Sequence, residues 1–219
     1  YTPGYIKING RIIRDYENLW AGDYDLTTAF RYSSNTVFIQ IGQEAGRDNM
    51  ISTAEAFGFN ADPDTDLPVA KSTFPRPPAL GGEVELAEDF IGQGKILTTP
   101  LQMAQAASII ANGGKSVKPY ILDKSVTPVG TAQLLHAIPA RVKVLDKSVA
   151  DKINTLMVDV VHSGTGRAAA ISGVSVAGKT GSAENPHGRA HGWFIGFAPA
   201  ENPKIAVAVI VENAGSGGS

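Results

Sequence analysis

Three apolar runs close the sequence: Val174-Ser175-Val176-Ala177, His191 to Ala198, and Ile205 to Val211. Between them stand Asn185-Pro186-His187-Gly188 and Glu201-Asn202-Pro203, residue types that end one strand and turn the chain into the next. Short connections of this kind predict an antiparallel meander. One face of such a sheet has to be buried, so the rest of the chain must supply a layer to cover it.

That layer reads as helical. Asp25 is an N-cap ahead of Leu26, Ala29 and Phe30, and Ser33-Ser34-Asn35 opens a second helix into Val37, Phe38 and Ile41. Gly46 closes it, and a further short helix covers Asp48 to Phe57 and stops at Gly58. Thr98-Thr99-Pro100 joins a cap to a proline at the first helical position, and the helix runs through Met103, Ala107 and Ile110 to Asn112-Gly113. A last helix spans about Asp146 to His162, with Val149, Ile153, Leu156, Met157, Val160 and Val161 on one face. At the front, Ile6, Ile8, Ile12 and Ile13 around Asn9-Gly10 suggest a small hairpin or an extended loop. Residues 60 to 80 are Pro-rich and read as a long surface loop. The expectation is an α+β fold in one unit over 1–219. Its helical part covers about 1–165 and its three C-terminal strands about 174–212.

Composition removes several classes of function. With 43% hydrophobic residues the chain fills a sizeable core and is not a disordered tail. Nineteen basic residues face 21 acidic ones, a net charge of −2 without any basic block, so no nucleic-acid partner is expected. The absence of cysteine removes disulfides and thiolate catalysis. No apolar run approaches the roughly 18 residues of a membrane span. The sequence opens on Tyr1-Thr2-Pro3-Gly4 without an initiator Met and stops at Gly215-Ser216-Gly217-Gly218-Ser219, which suggests a piece of a longer domain.

Two strings carry chemistry. Gly173 to Thr180 matches the phosphate-loop pattern G-x-x-x-x-G-K-[ST] letter for letter, which keeps a P-loop nucleotide binder as a remote alternative. Such a loop needs a strand before it and a helix after it, whereas Gly181-Ser182-Ala183-Glu184-Asn185-Pro186 is unsuited to a long helix. Read instead as a strand end, Lys179-Thr180-Gly181-Ser182 offers a fixed positive charge and a bare Gly181 past which a substrate backbone can be added as a strand. Thr180 and Ser182 supply hydroxyls for a carboxylate, and the Ser182 N–H suits an oxyanion. A lysine solvated at a strand end is the plain alternative. In Ser33-Ser34-Asn35, helix capping is again the plain reading. The functional one makes Ser33 a proton relay and Asn35 a ligand for a substrate carbonyl.

Taken together and in chain order, Ser33-x-Asn35 and Lys179-Thr180-Gly181 resemble the second and third signatures of β-lactamases and penicillin-binding proteins. Further stretches resemble the transpeptidase domain of class B penicillin-binding proteins over most of the chain. These are Ile91-Gly92-Gln93-Gly94 with Thr99-Pro100-Leu101-Gln102-Met103-Ala104, then Ile110-Ala111-Asn112-Gly113-Gly114, Ala177 to Glu184, and Gly192 to Pro199. The resemblance implies a β-lactamase-like transpeptidase fold, here incomplete. It also implies serine acyl transfer that cross-links peptidoglycan stem peptides, with β-lactam antibiotics as substrate mimics. A β-lactam sensor or a D,D-carboxypeptidase of the same fold shares these motifs. On this chain the resemblance makes Ser33, Asn35 and Lys179 catalytic, and gives Thr180, Gly181 and Ser182 to substrate binding. It implies no cofactor and no metal, and an extracytoplasmic place on the cell-envelope side of a bacterial membrane.

One signature is missing. No serine here stands in S-x-x-K: Ser72 leads to Thr73-Phe74-Pro75, and Ser116 meets Lys118 one place too early. In the family the nucleophile and its lysine precede the Ser-x-Asn helix, so they are expected upstream of Tyr1, and the chain alone is not expected to be acylated. A family strand from that segment normally pairs with the last strand of the meander, so Ile205–Val211 is expected to present an open apolar edge that the missing part or another chain covers. The Gly/Ser ending leads, in the family, to a helix over the sheet. Lesser candidates fall away on their own residues. Asp62-x-Asp64-x-Asp66 lacks the glycine and glutamate of a calcium loop and reads as a solvated acidic loop. Glu184, His187 and His191 lack a helix to align them on a metal, Asp159 reads as a surface charge, and Trp193 and Phe194 as packing residues.

Overall fold

The computed structural model describes residues 1–16, 19, 21–66, 68–78, 81–134 and 139–218. Leu67 of the acidic loop, Ala79 and Leu80 at the end of the Pro-rich stretch, and the terminal Ser219 lie outside the described residues. The chain opens with an antiparallel hairpin, β1 (Tyr5–Ile8) and β2 (Arg11–Arg14). Asn9 and Gly10 at its turn both take positive φ, 46° and 88°, as a two-residue turn matched to the strand twist requires. Four helices follow: α1 (Leu26–Arg31), α2 (Asn35–Ala45), α3 (Arg47–Ala56) and α4 (Glu83–Asp89). Asp25 caps α1 by accepting from the Thr28 N–H, and Ser34 caps α2 by accepting from the Val37 N–H.

The helix α5 (Pro100–Ala111) starts where Thr99 accepts from the Gln102 N–H. Two short ribbons, unforeseen in the sequence, come next: β3 (Lys115–Val117) pairs with β6 (Arg141–Lys143), and between them β4 (Lys124–Val126) pairs with β5 (Ala132–Leu134). The longest helix, α6 (Lys147–Ser163), is followed by a single 3₁₀ turn over Arg167–Ala169. An antiparallel meander then forms, with β7 (Ala177–Ala183), β8 (His191–Ala198) and β9 (Ile205–Val211) in the order β7-β8-β9, the last two strands where the sequence placed them. The fold is therefore α+β, with an antiparallel sheet against a helical layer.

The first strand corrects the sequence reading. Val174-Ser175-Val176 alternates like a strand, but pairing begins only at Ala177, opposite Phe197. Two residues beyond Phe197 the partner becomes Pro199, which has no N–H to give to a ladder. Lys179 thus stands third in a seven-residue strand rather than at its end, and the strand continues to Ala183 with no helix after Thr180. That arrangement removes the phosphate-loop reading of Gly173–Thr180.

Register decides what each face does. Ala177, Phe197, Ile195 and Ala206 lie on the helical side and pack with Ala107 and Ile110 of α5 and Met157 of α6. A second core joins Ile8 of the hairpin to Ile39 of α2 and Ala87 of α4. On the opposite face, Ile205, Val207, Val209 and Val211 are exposed. There the Phe194 ring crosses Gly178 and Gly196, where an added Cβ would come within 2.3 and 2.9 Å of it. β9 has no strand on its outer edge among the described residues.

One charge differs from expectation. Asp159 is not a loose surface charge: it accepts from Arg31 Nε at 2.6 Å and Nη2 at 3.1 Å, tying α6 to α1, because helical spacing turns it toward Arg31. Asp62 pairs with Lys71 at 2.8 Å and Asp64 with Lys118 at 2.5 Å, while Asp66 accepts the N–H groups of Ile121 and Leu122. The acidic loop is solvated, as expected, with the Asp62 and Asp64 side chains 90% and 75% exposed. No helix among the described residues is long and apolar enough to cross a membrane.

Candidate active site

Between α1 and α2 the chain turns in three residues, and Ser33 sits in that turn with φ +58°, a left-handed conformation uncommon for a residue with a side chain. What fixes the turn is Asp15, at the end of the hairpin. Its carboxylate accepts the Ser34 hydroxyl at 3.1 Å, the Thr36 N–H at 2.9 Å and the Thr36 hydroxyl at 2.6 Å. Ser34 and Thr36 are fully buried, so these bonds replace water entirely. Asp15→Ala would leave two buried hydroxyls and a buried N–H without this acceptor. We expect a loss of about 2–3 kcal/mol in thermal or denaturant unfolding, since a stranded buried polar group costs more than a bond is worth.

Lys179 reaches the same turn from the sheet. Its Nζ donates to Ser33 Oγ at 2.9 Å and to the Thr180 carbonyl at 2.9 Å, and lies 5.8 Å from the centre of the Phe30 ring. Burial among these groups pulls the ammonium down to about 8. The pair joins residues 146 positions apart, one from the helical part and one from the sheet. Asn35 is not joined to them: its amide donates to the Arg14 carbonyl at 2.9 Å, and among the described residues no hydrogen bond links it to Ser33 or Lys179.

Strand alternation puts Thr180 and Ser182 on the other side of β7 from Lys179 and Gly181. Both hydroxyls are engaged there. Thr180 Oγ1 is 2.6 Å from Thr165 Oγ1, in the loop after α6, and Ser182 Oγ accepts the Gly217 N–H at 3.3 Å. Thr165, Gly166, Thr180, Phe194, Gly217 and Gly218 line a shallow depression at this place. Among the described residues no strand pairs with the outer edge of β7, since the sheet order begins with it.

Asp15 and Thr165 go unnoticed in the sequence, and Gln93 is read there only as part of a family-like stretch, without a role. The Gln93 amide donates to the Ser182 carbonyl at 2.7 Å and accepts the Glu184 N–H at 3.1 Å. Its signal was the pair of flanking glycines, Gly92 and Gly94, both at positive φ (76° and 69°). The loop rests on Asp89, 3% exposed at the end of α4, whose Oδ1 is buried without a hydrogen-bond partner and lies 2.8 Å from where a Gly94 Cβ would stand. Burial pushes the Asp89 carboxyl up to about 6, against the pull of the Lys95 N–H.

The model of the penicillin binding protein transpeptidase domain matches residues 2–219. The peptidoglycan D,D-transpeptidase PbpA of Mycobacterium tuberculosis is 40% identical over 204 residues, covering 86% of this chain and 38% of that protein. The D,D-transpeptidase domain of a peptidoglycan glycosyltransferase from Eggerthella lenta superposes with a TM-score of 0.90 at 33% identity, over 99% of this chain and 55% of that one. A ceftriaxone acyl-enzyme complex of penicillin-binding protein A from M. tuberculosis superposes with a TM-score of 0.89 at 35% identity, over 98% and 51%. The chain thus spans less than two fifths of the PbpA sequence and about half of each solved structure.

Proposed function

Because the chain belongs to the penicillin-binding protein transpeptidase-domain family, we propose that it supplies the proton-relay and substrate-edge half of a peptidoglycan D,D-transpeptidase site. In this reading the attacking serine and its S-x-x-K lysine come from a part of the protein outside this sequence. The observation that carries the reading is the 2.9 Å bond from Lys179 Nζ to Ser33 Oγ. A lysine held near 8 can pass a proton at neutral pH and recover it. When the serine attacks the D-Ala–D-Ala amide, it gives its own proton to the S-x-x-K lysine, the leaving amine takes a proton from the Ser33 hydroxyl, and Lys179 returns one to Ser33 Oγ. An amine of a neighbouring stem peptide then resolves the acyl-enzyme, passing its proton to Ser33 Oγ and on to Lys179, while the serine recovers its own from the S-x-x-K lysine. In the reaction with a β-lactam, the ring nitrogen is the leaving amine.

The remaining assignments follow from position. Thr180 and Ser182 take the substrate carboxylate by exchanging their present partners, Thr165 Oγ1 and the Gly217 N–H. Gly181 keeps the edge clear, and the Ser182 N–H, on the side of β7 away from β8, receives the oxyanion. Asn35 orients the acyl side chain once released from Arg14. The outer edge of β9 is covered by a strand from elsewhere in the protein, and the site works outside the cytoplasmic membrane, where stem peptides are cross-linked.

Labelling with a fluorescent penicillin tests this directly. A protein joining this chain to its S-x-x-K segment should take up one adduct, on the S-x-x-K serine, and residues 1–219 alone should take up none. One stoichiometric adduct on the isolated 219 residues, seen by mass spectrometry, would overturn the division of labour.

A further inference from the structure

A strand has one hydrogen-bonding direction per residue, reversed at the next. Since Ser182 C=O and Glu184 N–H bind Gln93, these two peptide groups point away from β8, and alternation sends those of Thr180 the same way. The open edge of β7 therefore presents Thr180 and Ser182, with Glu184 next in line just past the strand's end. The Thr180 carbonyl is held by Lys179 Nζ. On Ser182 and Glu184, one side-chain amide makes the two bonds that one residue of an added parallel strand would make, N–H to one carbonyl and C=O from the N–H two residues on.

We propose that Gln93 is a strand-mimicking stop on the β7 edge, whose amide must leave the Ser182 carbonyl before the backbone N–H of an acyl donor can pair there. The loop is built to present it. Gly92 and Gly94 take positive φ on either side, the Gln93 N–H is tied to the Glu88 carbonyl at 2.9 Å, and Gly94 is seated against buried Asp89. This holds the side chain at the edge, and because Gln93 is only half-buried, water can take over its two amide bonds when it leaves. Gln93 is in these terms a positioning residue: it decides how far along β7 an incoming backbone can pair, and it discriminates between acyl donors by whether they bring an N–H to replace its own.

The inference rests on the transpeptidase reading, and its test separates the two. Acylation rate constants are measured for the protein carrying both this chain and its S-x-x-K segment, with a penicillin bearing an acylamido N–H and a carbapenem bearing a hydroxyethyl group instead. Gln93→Met removes the amide, and Gln93→Glu keeps an acceptor for Glu184 but no donor for Ser182. Both variants should raise the penicillin-to-carbapenem rate ratio about fivefold, the worth of one competing hydrogen bond. A ratio unchanged in both variants, or both rates falling in proportion, would make Gln93 a packing residue and overturn the inference alone. A wild-type protein that reacts with neither compound overturns the transpeptidase reading and the inference with it.

Discussion

Lys179→Met, placed in the protein that carries the S-x-x-K segment, should lower the acylation rate by a factor of about 10² to 10⁴, the range of a positioned proton donor and acceptor. The variant should nevertheless fold, and at pH 7 it should be the more stable protein by about 1–2 kcal/mol. The sign follows from the proton count. The lysine titrates near 10.5 when free and near 8 in the fold, so between these values the unfolded chain binds more protons and stability rises with pH. Below pH 8 the folded protein carries the full cost of a charged, part-buried ammonium, and methionine removes that cost. Part of the gain is returned because Ser33 loses its donor. The stabilisation should therefore be largest below pH 8 and vanish toward pH 10.5. Thermal unfolding across that range, alongside penicillin acylation rates, separates a relay from a merely structural lysine. An unchanged acylation rate would sink the assignment of Lys179.

Phe197→Ala should have the largest effect on stability, a loss of about 3–5 kcal/mol. The ring is 2% exposed and fills the space between the sheet and the two helices α5 and α6, against Ala107, Ile110 and Met157. Its neighbours on the sheet side include Ala177 and Ala200, whose small side chains cannot close the cavity. Against a total stability of roughly 5–15 kcal/mol, this should lower the midpoint of thermal unfolding by about 10 °C. The control is Val209→Thr, on the opposite face of the next strand and 49% exposed, which should stay within about 0.5 kcal/mol. Equal losses in the two variants would mean that the outer face of the sheet is also core.

Local chemistry made most of the elements readable. Asp25, Ser34 and Thr99 are caps whose side chains satisfy helix N–H groups, and each announces its helix from one short stretch of sequence. The last two strands were readable because their turns carry proline, asparagine and glycine at the right places. The ribbon of β3 and β6 was not, since Val117 and Arg141 meet across a long intervening segment and three residues carry no period. α4 escaped because Gly82 caps it without a side chain and four of its seven residues are acidic. The same distinction holds at the site. Ser33 and Lys179 each had an ordinary explanation alone, and only their order along the chain suggested a pair. Asp15 lies 21 residues from Thr36, and Gln93 lies 89 from Ser182, so neither bond leaves a trace in spacing.

The alternation of β7 also bears on how this chain can vary in length. Lys179 and Thr180 are separated by one peptide bond yet serve opposite sides of the sheet, the first facing Ser33 and the second Thr165. Inserting or deleting a single residue ahead of them would exchange the two sides, sending the ammonium toward Thr165 and a hydroxyl toward Ser33. No small shift of the backbone repairs such an exchange. Over Lys124–Leu134, by contrast, the ribbon of β4 and β5 stands apart from the two buried clusters, and extra residues there displace nothing that the site uses. Natural length changes among relatives should therefore gather in that ribbon, and the seven positions of β7 should be spared them.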